Sequence, residues 1–107
     1  MLARRTSTAQ RIIRERYLRA RFFPHMAEAS WLILLDLYAN AERDISVTSA
    51  CTASFVPATT ALRHIALLEA DGLIEREADS ADARRVWLRL TVAGADRLAD
   101  FFNAAEA

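Results

Sequence analysis

The stretch "VPATTALRHIALLEADGLIE", residues 56–75, decides how the rest of this 107-residue chain is read. Pro57 sits where a helix tolerates proline, in the first turn, and Gly72 follows Asp71 where a left-handed residue closes a helix. Between them, at ~100° per residue, Ala61, Leu62, Ile65, Leu68 and Glu69 share one face. Thr59, Thr60, Arg63, Leu67 and Ala70 share the opposite face, with His64 on the flank. The first face reads as a core stripe. The second carries small hydroxyls and one arginine, and its use has to be inferred from what surrounds it.

Downstream, "LIEREAD" (73–79) and "RRVWLRLT" (84–91) read as two strands, because Val86, Leu88 and Leu90 alternate with Arg85, Trp87 and Arg89 at the period of a half-buried strand. The short charged connection between them makes an antiparallel hairpin. Thr91 then caps a last helix running to about Ala105, with Leu98, Phe101 and Phe102 as its apolar stripe. Upstream, Ser46 is the N-cap of a short helix over 47–53, reached through a very short strand at 44–46 and followed by a turn at 54–56. Before these, "WLILLDLYA" (31–39) lies in a helix that starts near Glu28–Ser30, runs to about Arg43 and is apolar nearly all round. It should form the centre of the core. A first helix spans Thr8 to about Phe22, ended by Pro24, and residues 1–7 read as a loose basic arm.

The expected fold is therefore mainly α with a small β-hairpin wing, in the order α-α-β-α-α-β-β-α. Two short helices joined by a tight turn, the second amphipathic and followed directly by a hairpin, make a winged helix-turn-helix. The expectation is one such domain over residues 1–107, with an N-terminal basic arm and terminal helices used for dimerisation. The second helix of the pair fits a DNA major groove, and the hairpin tip reaches phosphates or the minor groove.

Composition narrows the function. Fourteen basic residues balance fourteen acidic ones, but seven arginines and one glutamate fall in residues 1–22, while residues 23–107 hold seven arginines against thirteen acids. There is no lysine. Arginine suits bidentate contact with phosphates and bases, although the base composition of a genome explains a lysine-free, alanine-rich chain better. A lone cysteine, Cys51, rules out an internal disulfide and fits a reducing cytoplasm, and it reads as a small buried hydrophobe rather than a redox sensor. No secretory signal is expected, and "WLILLDLYA" is too short to span a bilayer. Two histidines and one cysteine without clustering offer no zinc site, Gly72 and Gly94 alone make no phosphate loop, and no nucleophile, base and oxyanion donor converge. Neither enzyme activity nor a cofactor is expected.

The run "SVTSACTASFVPATTALRHIALLEADGLIEREADSADARRVWLRLTVAG" (46–94) resembles the core of MarR-type transcriptional regulators. The "LLEADGLIER" junction between helix and wing, the aspartate–arginine wing tip and the "LT..G" start of the last helix carry the likeness. It covers about half the chain firmly, and the chain is shorter than typical members, mainly at the C-terminus. The family's wing pattern is Asp-x-Arg-Asp-x-Arg; here it reads Asp79, Ser80, Ala81, Asp82, Ala83, Arg84, with Ala81 replacing the first arginine and removing one DNA contact. The resemblance implies that, of Arg84 and Arg85, one is held by Asp79 or Asp82 and one is free for the minor groove.

The expected DNA contacts are Ser46, Thr48, Pro57, Ala58, Thr59, Thr60, Arg63, His64, Arg84 and Arg85, with Asp79 and Asp82 supporting the wing tip. Thr59 and Thr60 serve equally well as first-turn residues satisfying free amides, and His64 suits flank packing better than base reading. Ile13, Tyr17, Leu98, Phe101 and Phe102 are the expected homodimer interface, because adjacent phenylalanines on a helix point ~100° apart and are hard to bury together in one chain. The expected function is sequence-specific binding of double-stranded DNA by a transcriptional regulator, a repressor, in the cytoplasm. The residues name no effector ligand. The rival is a protein-interaction module on the same fold, favoured by the acidic balance of residues 23–107, since phosphate neutralisation drives non-specific DNA affinity.

Overall fold

The computed structural model describes residues 2–107 and has the element order expected: α1 (Leu2–Phe22), α2 (Glu28–Ala39), β1 (Ile45–Ser46), α3 (Val47–Ala53), α4 (Ala58–Ala70), β2 (Ile74–Ala78), β3 (Val86–Leu90) and α5 (Val92–Glu106). Two compact units divide these elements, one made of residues 27–96 and the other of the chain up to residue 26 with residues 97–107.

In the unit over 27–96, α2 is the hub. Ala29, Ser30, Trp31, Ile33, Leu34 and Leu37 are buried, and the helix touches α3, α4 and β3. It ends at Ala39, short of Arg43, because the Asn40 side-chain amide donates to the Asp36 carbonyl (2.9 Å) and carboxylate (3.2 Å), competing with a further helical turn. Among the described residues the strands form one antiparallel sheet in the order β1-β3-β2, with Ile45 opposite Leu88 and Ile74 opposite Leu90. Leu88 is the buried residue of β3. Cys51 is buried and free, as a small hydrophobe would be.

The core stripe of α4 is narrower than its sequence suggests. Ala61, Ile65 and Leu68 are buried, while Leu62 is 42% exposed. Glu69 is half-buried and meets Arg76 at 2.6 Å. The helix closes as expected. Gly72 takes φ +74°, its N–H donates to the Glu69 carbonyl and that of Leu73 to the Leu68 carbonyl, the paired bonds of a Schellman stop. This stop is tied to the start of α5: the Thr91 N–H donates to the Leu73 carbonyl, its hydroxyl donates to the Gly72 carbonyl (2.6 Å), and the Gly94 N–H donates back to that hydroxyl (3.0 Å). Gly94 approaches the Leu73 carbonyl so closely that a Cβ there would overlap it.

In the other unit, α1 and the end of α5 run antiparallel. The Arg14 guanidinium donates to the Ala104 and Ala105 carbonyls near one end, satisfying acceptors that a helix terminus leaves open. At the other end Arg97 donates to the Phe22 carbonyl (3.0 Å) and stacks over the Phe23 ring, and Phe22 meets Phe101 edge-on. The stretch expected as a loose arm is helical from Leu2. Thr6 and Thr8 bond back to the Leu2 and Arg4 carbonyls, so their hydroxyls are satisfied inside the helix. Every described residue from 2 to 17 is exposed.

Candidate nucleic-acid interface

Ser46 acts as predicted, its Oγ accepting from the Ser49 N–H at 3.1 Å to cap α3. Thr48 is exposed on the first turn of α3, and its carbonyl accepts from the Thr52 hydroxyl. The turn into α4 is fastened by Ser54, whose buried hydroxyl donates to the Cys51 carbonyl (2.6 Å) and accepts from the Val56 N–H (3.4 Å). Pro57 is the N-cap rather than the first helical residue, with φ −56° and ψ 148°, and makes no side-chain cap.

On α4 itself, Pro57, Ala58, Thr59 and Arg63 are exposed and Thr60 is half-buried. Arg63 has no ion-pair partner among the described residues. His64 lies on the flank of this face. It is half-buried, and its Nδ1 shares a hydrogen bond with the Ser30 hydroxyl at 3.2 Å, so the imidazole ties α4 to α2.

The hairpin tip is built from its aspartates. The Asp79 carboxylate accepts from the Ala81 N–H (2.8 Å) and that of Asp82 from the Arg84 N–H (3.0 Å). Backbone bonds from Arg85 to Asp82 and from Asp79 to Arg85 close the loop. Asp82 also holds Arg84, loosely, at 3.4 Å, with the arginine side chain 92% exposed. Arg85 lies over the Trp87 ring, 5.3 Å from its centroid, and pairs with no carboxylate among the described residues. At the root the pattern reverses: Arg89 bonds both Glu77 and Asp44. Those bonds, Glu77's first, raise its pKa above the ordinary arginine value.

Between the start of α3 and the wing lies an open concavity of about 800 Å³ that brings Ser46 and Thr48 together with Arg84 and Arg85. Arg76 and Trp87 line it too, and neither was singled out from the sequence. An aromatic flanked by arginines on an alternating strand was the available signal for Trp87. A second cleft, of about 250 Å³, sits beside Tyr38, Arg43 and Leu90.

This arrangement of caps, turn, helix and wing agrees with a protein-family model, that of the MarR family, which matches residues 26–85, more than half of the chain. The chain belongs to the MarR family. Among solved structures, Staphylococcus aureus MepR, a transcription regulator of the multidrug efflux pump MepA, aligns with this MarR-family chain at TM-score 0.74 and 21% identity, over 98% of this chain and 74% of its own. MepR solved in complex with DNA aligns at TM-score 0.71 and 21% identity, over 99% and 86%. NadR in complex with 4-hydroxyphenylacetate aligns at TM-score 0.77 and 18% identity, over 98% and 72%. At such identities the likeness shows the shared winged-helix fold. No curated protein matches. None of the described helices is long and apolar enough to cross a membrane.

The expected dimer residues separate into two groups. Leu98 is fully buried and Phe101 is 4% exposed within the single chain, so neither is available to a partner. The two adjacent phenylalanines do diverge, Phe101 inward and Phe102 half-buried edge-on against it, but one chain accommodates both. Ile13 and Tyr17, 70% and 71% exposed, remain uncovered.

Proposed function

We propose that the chain is a sequence-specific, double-stranded DNA-binding regulator of transcription in the cytoplasm, acting as a repressor, with α4 in the major groove and the wing tip on phosphates or the minor groove. The concavity shared by the start of α3 and the wing supports this reading, because the Ser46 and Thr48 hydroxyls meet the wing arginines Arg84 and Arg85 there, in a chain that belongs to the MarR family. Ser46, Thr48, Arg84 and Arg85 take phosphates or the minor groove in this reading, and Pro57, Ala58, Thr59, Thr60 and Arg63 face the bases. Asp79 and Asp82 hold the tip in shape. An effector of small-molecule type belongs to the proposal through the similarity to NadR alone.

We also propose that a second copy of the chain covers α1. Each of its residues 2–17 is exposed, and a helix in water is marginal without an apolar face against something. Ile12, Ile13 and Tyr17 supply that face. A two-fold pair would set its recognition helices ~34–36 Å apart, one turn of DNA, on an inverted repeat. Sedimentation at micromolar concentration, free and on DNA, checks this; a monomer in both states ends the dimer reading.

The functional test is a mobility shift with duplex DNA at low salt. Binding should fall steeply as salt rises, as counterion release requires. Absence of any shift at low salt would favour the protein-interaction reading, for which the surplus of carboxylates in residues 27–96, eleven against six arginines, already speaks.

A further inference from the structure

The outer face of α4 is chemically one-sided. Opposite the buried Ala61, Ile65 and Leu68 lie Thr59, Arg63, Ala66, Leu67 and Ala70, and every one of these five is exposed. Leu67 is 54% exposed and, on the shoulder, Leu62 is 42% exposed. Scattered exposed leucines are ordinary. What is not ordinary is the short supply of hydrogen-bonding groups on a helix that enters a groove lined with donors and acceptors.

The matches between side chains and base edges in the major groove are few. Arginine or lysine reads guanine, asparagine or glutamine reads adenine, a carboxylate accepts from cytosine, and apolar groups contact the 5-methyl of thymine. This face holds one arginine, no amide and no carboxylate. The one acid of α4, Glu69, is half-buried on the core side and is held by Arg76 at 2.6 Å. Its one histidine is bonded to Ser30. Apart from the Thr59 hydroxyl, which can bond either a donor or an acceptor and so singles out no base, the remaining contact chemistry is carbon: the Thr59 methyl, the Ala66 methyl and the Leu67 isobutyl group. Thr59 and Leu67 are separated by ~12 Å at 1.5 Å per residue, which corresponds to about three to four base pairs.

We propose that α4 reads its half-site chiefly through thymine 5-methyl groups, arranged around a single guanine contacted by Arg63. The inference rests on the DNA-binding reading above and deepens it by naming the chemical feature recognised. Transfer of a methyl from water to an apolar surface is favourable and non-directional, so such a face discriminates by shape and by methyl position.

The test uses the full chain. Duplexes bound from a random-sequence pool are selected, and the best site is titrated by fluorescence anisotropy, with each thymine of the half-site replaced in turn by deoxyuridine. Each contacted thymine should lose about fourfold in affinity, the value of one buried methyl-sized group, while replacements outside the half-site change nothing. In Leu67→Ala or Thr59→Ser, which keeps the hydroxyl and removes the methyl, the penalty at one of those thymines should disappear. If the fully uracil-substituted site binds as tightly as the thymine site, the methyl inference is overturned and the DNA-binding reading stands. If the uracil penalty survives unchanged in both variants, it arises from duplex shape and the inference is again overturned. If no duplex is selected at all, both readings fail together.

Discussion

At the root of the wing, Arg89 lies between the carboxylates of Glu77 and Asp44, and Arg76 meets Glu69. At the tip of the same hairpin, Arg85 lies over the face of Trp87 and pairs with no carboxylate among the described residues, and Arg84 is loosely held by Asp82 with nearly all of its side chain in solvent. The acids of this region are therefore unevenly placed. Several are engaged with arginines that fasten the hairpin to α4 and to the loop before β1, and the arginines that point outward are left largely unbalanced. Net charge over residues 27–96 averages the two ends and describes neither. The potential that a phosphate meets depends on which charges are already paired, because an ion pair cancels most of its own field within a Debye length, ~8–10 Å at physiological salt.

That contrast can be broken most sharply at the root. Gly94→Ala should destabilise the chain by roughly 3 kcal/mol, since the new Cβ would meet the Leu73 backbone carbonyl, which cannot rotate aside. Urea unfolding checks it, and a change within ~0.5 kcal/mol, the range of an ordinary surface substitution, would show that this junction yields easily. Next in size is Arg63→Ala, expected to cost ~1–3 kcal/mol of affinity for the preferred duplex if the side chain contacts a guanine. The melting temperature should hardly move. Unaltered affinity for that duplex removes Arg63 from the interface.

Smaller effects belong to the tip. Arg84→Ala should weaken binding to all duplexes about equally and lower the salt slope by about one, leaving stability alone. A loss confined to one sequence would mean that Arg84 reads bases. The smallest expected effect is a gain: Ala81→Arg should tighten binding modestly and steepen the salt dependence, restoring the family's arginine at that wing position. If affinity and slope both stay the same, position 81 faces no phosphate.

Much of the fold was legible because its punctuation is local. Ser46 and Thr91 each announce a helix start at the next residue by accepting from the N–H three residues on, Gly72 announces a stop, and the alternation from Val86 to Leu90 is a strand period; each feature appears in the structure where it was read. The misplaced boundaries lack such marks. Leu2 to Ser7 has no apolar rhythm, and its helicity rests on backbone bonds and threonines that satisfy themselves. α2 ends at Ala39, before Asn40, through a side-chain bond that composition does not foretell. The exposed face of α4 was readable from its period, whereas the bond that His64 makes on its flank depended on Ser30, a residue far away in the chain. The pairing at the wing root was hidden for the same reason, because Asp44, Glu77 and Arg89 meet only once three segments have folded together.

The long exposed stretch of α1 makes protein abundance a variable in its own right. If its apolar residues find their cover on a second copy, the helix gains stability only as that copy becomes available, so melting becomes concentration-dependent. Well below the dissociation constant, the paired species varies with the square of total chain. Halving the protein then leaves about a quarter of the dimers. Occupancy of an inverted-repeat site would follow that quantity, and a modest change in gene dosage would act as a switch without any ligand.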